Sequence, residues 1–164
     1  MERTCEALTL DEIVTINTRM CLDSFGLHDG GDNFLNRGSL EFILDAIHEC
    51  YFGVEPYPTI PEKAAAVGWT IVASHVFKDA NKRTGLETCR QILERNHYTW
   101  HPRCPFGKRR RLGQAKRRKA FLAPTLSLSE DSPDKDAIGA ILSVASGNMT
   151  NEEFCEWVKS RIGG

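Results

Sequence analysis

The sequence predicts an all-α fold, a compact bundle of helices interrupted by one basic insertion. Three observations predict it. Six stretches carry apolar residues in a helical arrangement. Threonine–glutamate capping patterns stand at the start of two of them, at Thr9/Glu12 and Thr150/Glu153. Between the fourth and fifth stretches, residues 101–132 combine a Lys/Arg run with three prolines and few large apolar residues, which reads as a flexible surface segment. With 164 residues, 41% of them hydrophobic, one domain with a real core is the expected size. It has a core over residues 8–100 and 134–162 and the insertion between them.

The first helix is expected from Leu10 to Phe25, capped by Thr9 with Glu12 three residues on, and Ile13, Ile16, Met20 and Leu22 mark its buried stripe. Gly26 to Gly38 is rich in Gly, Asp and Asn and reads as a loop. Ser39 can cap a second helix over Leu40 to Tyr51, with Leu40, Ile43, Leu44 and Ile47 inward. Pro56 and Pro58 exclude a helix interior from Gly53 to Thr59, so this loop can hold an extended or hairpin-like flap. Pro61 suits the first position of a third helix, with Glu62 in its first turn, and that helix ends near Ser74–His75. Gly68 and Trp69 in its middle suggest close helix packing beside a large side chain. Thr84 to Asn96 forms a fourth helix with Leu86, Cys89, Ile92 and Leu93 facing inward. Two more helices fill Asp134 to Ile162, broken at Ala145-Ser146-Gly147-Asn148. A short helical piece over Gln114–Leu122 is the only order expected inside the insertion.

The formal net charge of −1 gives the chain as a whole no case for binding nucleic acid, but the charge is uneven. Nine Lys/Arg and no acid lie between Arg103 and Lys119. Taking those nine from 21 leaves 12 Lys/Arg against 22 Asp/Glu, an acidic body of about −10. Six cysteines are scattered without a C-x-x-C pair and read as reduced thiols. His97, His101 and Cys104 approach a metal-ligand spacing, but a fourth ligand is not evident. The first residues are charged where a signal peptide needs an apolar run, and no stretch approaches the ~20 apolar residues of a membrane span. The expected location is the cytoplasm, with no membrane contact.

The chemistry concentrates in His75-Val-Phe-Lys-Asp79-Ala-Asn81-Lys82-Arg83-Thr84-Gly85. A helix starting near Asn81–Thr84 presents unpaired N–H groups and the positive end of its dipole, which attract phosphate oxygens. Lys82 and Arg83 add a point charge and a planar fork there. Asp79 is a hard oxygen ligand suited to Mg²⁺, which keeps waters and bridges nucleotide phosphates. Histidine exchanges a proton near neutral pH, so His75 is a candidate base for an incoming hydroxyl. Asn81 can orient a phosphate or ligate the metal, while Phe77 is expected to point into the core and pin the loop. Each element also has a plainer reading: His75 as a helix C-cap, Asp79 as a cap for the next helix, Lys82-Arg83 as a solvated face. The residues alone support an anion or nucleotide site and leave its reaction open.

The pattern His-x-Phe-x-Asp-Ala-Asn-Lys-Arg-Thr resembles the Fic/Doc family, and within it the Doc (death-on-curing) toxins. Tyr57-Pro58, the Glu62-Lys63-Ala-Ala-Ala run, Leu93-Glu-Arg-Asn96 and Ala145-Ser-Gly147 before a closing amphipathic helix look Doc-like too. The resemblance covers roughly Leu8–Trp100 and Asp134–Ile162. Fic proteins transfer AMP from ATP to hydroxyl side chains, typically with a Gly-Asn-Gly core and a second arginine three residues after the first. This chain has Ala80-Asn81-Lys82 and, at that second position, Leu86. Both departures point away from adenylylation. Doc proteins with this lysine resemble kinases that bind ATP reversed and pass its γ-phosphoryl group to a threonine of elongation factor Tu. The resemblance therefore implies ATP and Mg²⁺, His75 as base, Asp79 as metal ligand, and Asn81, Lys82, Arg83 and Thr84 on the nucleotide.

Many Fic proteins carry an inhibitory helix with a Ser/Thr-x-x-x-Glu-Gly/Asn pattern. No glutamate here is followed by Gly or Asn, so restraint is expected in trans from a Phd-like antitoxin. Three functions follow: a Doc-like kinase toxin that blocks translation, a Fic-like AMP transferase, and a non-catalytic, antitoxin-binding regulator. The basic insertion reads as a solvated linker, as a nonspecific RNA or ribosome contact, or as a strap onto the acidic body.

Overall fold

The computed structural model describes residues 4–24, 33–100 and 133–163. Six helices lie among the described residues: α1 (Leu10–Ser24), α2 (Arg37–Ala46), α3 (Ile60–Ala73), α4 (Asn81–Arg95), α5 (Pro133–Ala145) and α6 (Asn151–Lys159). The basic insertion, with its expected piece at Gln114–Leu122, lies outside the described residues. The all-α expectation holds, with one small addition. β1 (Thr99–Trp100) pairs antiparallel with β2 (Ile162–Gly163), in the register Thr99↔Gly163 and Trp100↔Ile162. This ladder closes the chain's last residues onto the end of the fourth helical segment. Two-residue strands carry no periodicity that sequence reading could detect.

Helix α3 is the hub and packs on α4, α6, α2 and α5. Its start is fixed by a capping box: Thr59 Oγ1 accepts from Glu62 N–H and the Glu62 carboxylate accepts from Thr59 N–H at 3.0 Å. Ala64, Ala65, Ala66 and Val67 are fully enclosed, and such small side chains let neighbouring backbones approach. The closest approach is at Gly68 and Gly85, where a Cβ on Gly85 would stand 2.7 Å from the Gly68 carbonyl oxygen. Close packing at Gly68 was expected. Trp69 beside it donates from Nε1 to the Met149 carbonyl at 3.0 Å and so fastens α3 to the α5–α6 turn.

The capping boxes at Thr9/Glu12 and Thr150/Glu153 form as expected. Other boundaries shift. Helix α2 begins at Arg37 rather than Leu40, because backbone bonds from Leu35 and Asn36 to the Val76 carbonyl, at 2.8 and 2.9 Å, fix its entry. It ends at Ala46 rather than Tyr51, where His48 and Glu49 tighten into shorter turns on Asp45 and Ala46. Helix α4 begins at Asn81, three residues before Thr84. Leu22 is 64% exposed, and Asn17 and Cys21 take the buried stripe with Ile13, Ile16 and Met20. A hairpin-like turn does occur between α2 and α3, but at Tyr51–Val54, closed by two backbone bonds of 2.9 Å. Phe52 and Gly53 at its tip have φ of 51° and 80°, the mirror-image turn that suits a hairpin.

Candidate active site

The segment Ser74–Ala80 leaves α3 and enters α4, and its backbone is held from three directions. Lys78 N–H donates to the Asn33 carbonyl at 2.8 Å, and the Val76 carbonyl receives the two bonds from Leu35 and Asn36. Phe77 turns into the core, 1% exposed, as expected, and stacks on Phe34 with centroids 5.0 Å apart. Burying a phenylalanine is worth ~2–3 kcal/mol, which anchors the loop's middle. Asn81 closes a ring across it: Oδ1 accepts from Phe77 N–H at 2.8 Å and Nδ2 donates to the Phe77 carbonyl at 2.7 Å.

Two non-glycine residues here occupy the left-handed region, His75 at φ 46° and Ala80 at φ 62°. That conformation costs an L-residue ~1–2 kcal/mol and persists only where surrounding bonds impose it. Ala80 is the N-cap residue of α4 and has no side chain to cap it. The helix's first N–H groups, without intrahelical acceptors, therefore stand at the positive end of its dipole.

The structure places the expected site residues at different depths. His75 and Lys82 are exposed and Asp79 and Asn81 are half-buried. One Asp79 carboxylate oxygen accepts from Ala80 N–H at 2.6 Å, which orients the group at the mouth of α4. Arg83 and Thr84 lie deeper. Arg83 is 7% exposed and donates from Nη1 to the Met20 carbonyl at 2.7 Å. Thr84 is fully buried, and its hydroxyl accepts from Asn17 at 3.1 Å. Expected on nucleotide phosphates, Thr84 here faces protein, because α4 begins early and turns that position inward. Among the described residues, no group of three His, Cys, Asp or Glu is placed to hold a metal by itself.

Sequence reading missed Asn17. It is 1% exposed, and its Nδ2 also donates to the Asp79 carbonyl at 2.9 Å. Its Oδ1 accepts from Asn33 Nδ2 at 3.0 Å. The signal was an amide in register with Ile13 and Met20 on an apolar stripe. Cys21, one turn on, is kept as a thiol: burial pushes it up, and the nearby Asp79 charge pushes the same way against Arg83. Glu87, one turn after Arg83 and 2% exposed, was also missed. It binds Arg90 Nε at 2.9 Å, Gln91 at 2.8 Å and Arg19 at 3.3 Å. Burial pushes its carboxyl up, but hydrogen bonds from Arg90 and Gln91 and both arginine charges outweigh that and hold it below the usual range.

No described helix is long and apolar enough to cross a membrane. A search of curated proteins returned no match. The model of the Fic/DOC family matches residues 7–93, more than half of the chain and all of the loop just described. The chain belongs to the Fic/DOC family, whose members generally transfer nucleotide or phosphate groups to protein hydroxyls.

Proposed function

We propose that this Fic/DOC-family chain is a Doc-like toxin kinase. It passes the γ-phosphoryl group of ATP to a hydroxyl, a threonine of a translation factor such as elongation factor Tu, and so blocks translation. The observation that carries this reading is the contrast between Lys82 and Leu86. Lys82 is exposed in the first turn of α4, a cation at the uncapped helix end. Leu86, at the position where the adenylylating pattern places a second arginine, has no exposed surface. A phosphate clamp from that position is therefore missing, and a lysine stands where a glycine would let backbone approach an α-phosphate.

The donor set fits Mg²⁺ and ATP. Asp79 is the single carboxylate of residues 75–85, and Mg²⁺ binds through one or two carboxylates plus phosphates and waters. Bound there, Mg²⁺ would neutralise charge on the phosphates. The helix N-terminus, Lys82 and Arg83 receive phosphate oxygens. Asn81 and Thr84 serve the nucleotide by fixing the loop that presents these groups. His75, exposed at the end of α3, takes the proton of the attacking hydroxyl as its oxygen bonds to the γ-phosphorus and ADP leaves. Positioning and charge stabilisation are most of what phosphoryl transfer requires. A Phd-like antitoxin in trans restrains the enzyme, in line with the missing inhibitory pattern.

Expression of the wild-type chain should arrest growth and leave elongation factor Tu phosphorylated on threonine. His75→Ala should abolish both while its circular dichroism and melting stay native. Modification that survives in His75→Ala would refute the assignment of the base. No modification by a folded wild-type chain would favour the antitoxin-binding regulator instead.

A further inference from the structure

Asn17 lies on α1, away from the loop in sequence, yet its amide spends both donors there. Nδ2 donates to the Asp79 carbonyl at 2.9 Å and to Thr84 Oγ1 at 3.1 Å. Oδ1 accepts from Asn33 Nδ2 at 3.0 Å and from the Cys21 thiol at 3.8 Å. All four hydrogen-bonding positions of the amide are thus used. The two residues it joins flank the left-handed Ala80, the point where the chain turns from the loop into α4. Asn33, 4% exposed, gives its Nδ2 to this arrangement while its own Oδ1 is buried without a partner among the described residues. Buried polar atoms are nearly always paired. Asn33 thus meets Asn17 through its amide nitrogen, and the Asn17 amide is the saturated member of the pair.

We propose that Asn17 is a positioning residue for the transfer reaction. Through the Asp79 carbonyl it sets the direction of the Asp79 carboxylate, and through Thr84 it locks that carboxylate to the first turn of α4 that carries Lys82. Groups one step behind a metal ligand typically change affinity or activity 10–100-fold when removed. The inference rests on the reading that Asp79 holds the metal of a bound nucleotide, so its test separates the two.

Asn17→Asp keeps the acceptor toward Asn33 and Cys21 and loses both N–H donations, to the Asp79 carbonyl and to the Thr84 hydroxyl. Asn17→Leu keeps the branching at Cγ, is somewhat larger, and loses all four bonds. Binding of Mn²⁺ in the presence of ATP, followed by electron paramagnetic resonance, should weaken ~10-fold or more in both. Binding of ATP in EDTA should stay within ~2-fold, because the helix end and Lys82 remain. The Mg²⁺ needed for half-maximal transfer should rise by the same factor. If Asn17→Leu fails to fold, Asn17→Asp carries the comparison. Folded variants that bind Mn²⁺ with ATP as the wild type does would overturn the role of Asn17 alone. A wild-type chain that binds no Mn²⁺ with ATP would overturn the site reading beneath it.

Discussion

Replacing Gly85 with alanine tests whether the α3–α4 crossing holds the site together. A Cβ at Gly85 would stand 2.5 Å from Val72 Cγ2 and 2.7 Å from the Gly68 carbonyl oxygen. The first obstruction is a side chain. The second is helix backbone, so it clears only if α3 and α4 separate. Overpacking of this kind costs ~1–3 kcal/mol, and the backbone obstruction places Gly85→Ala at the upper end. Alanine returns about 1 kcal/mol of helix propensity, leaving a net loss of ~2 kcal/mol. For a domain of this size that lowers Tm by roughly 4–8 °C. Gly139 on α5 is the matched control, since nothing lies within 4 Å of its Cβ position. Gly139→Ala should gain most of the ~1 kcal/mol of propensity and raise Tm by ~2–4 °C. Urea unfolding followed by far-UV circular dichroism reads both. In a double-mutant cycle, Gly85→Ala with Val72→Ala should lose less than the sum of the two, by ~0.5 kcal/mol or more, because one obstruction is gone. A Gly85→Ala protein as stable as Gly139→Ala would refute the close crossing. The crossing lies beneath the loop, so transfer by Gly85→Ala should also fall further than its folded fraction accounts for.

Ala80→Gly should raise stability by up to ~1 kcal/mol in the same unfolding assay, since glycine carries no left-handed penalty at φ 62° and the gain is partly offset by unfolded-chain entropy. Glu87→Gln should cost ~1–3 kcal/mol, because Arg90 and Arg19 lose a buried carboxylate while the arginines themselves still reach water. For acid stability, the hydrogen bond from Arg95, then that from Thr9, hold the Glu12 carboxyl at about 2 against an ordinary 4.5. A lowered value means that its contribution is present above 4.5 and lost as pH falls toward 2. The pair is well exposed, so the effect is small. Arg95→Ala should flatten the fall in Tm between pH 4.5 and 2 and leave Tm differences constant above that window.

The helices were legible because their buried faces repeat at 3.6 residues and their starts carry local capping chemistry. Ile13, Ile16 and Met20, or Leu86, Cys89, Ile92 and Leu93, need no tertiary information to be assigned inward. The shifted boundaries arise where non-local bonds decide. Asn36 starts α2 because its N–H meets Val76, forty residues away in sequence. Leu22 was misplaced because its apolar side chain outweighed its register: nine residues from Ile13 it faces the opposite side of the helix, and the stripe continues through Cys21. The loop's residues were legible as one cluster at the start of α4, and Phe77 as its pin. Their depths were not. That Arg83 reaches back to Met20, that Thr84 is enclosed, and that Asn81 rings Phe77 all depend on α4 starting at Asn81. Asn17 could only have been suspected, since a single amide in an apolar stripe looks the same whether it caps, packs or positions.

The central claim, γ-phosphoryl transfer from a site built on Asp79 and Lys82, is tested most directly with ATP labelled separately at the α and γ positions. Each is incubated with the chain and elongation factor Tu. Label from the γ position alone on the target, absent with His75→Ala, is the predicted result. Label from the α position would show nucleotidyl transfer and contradict the account.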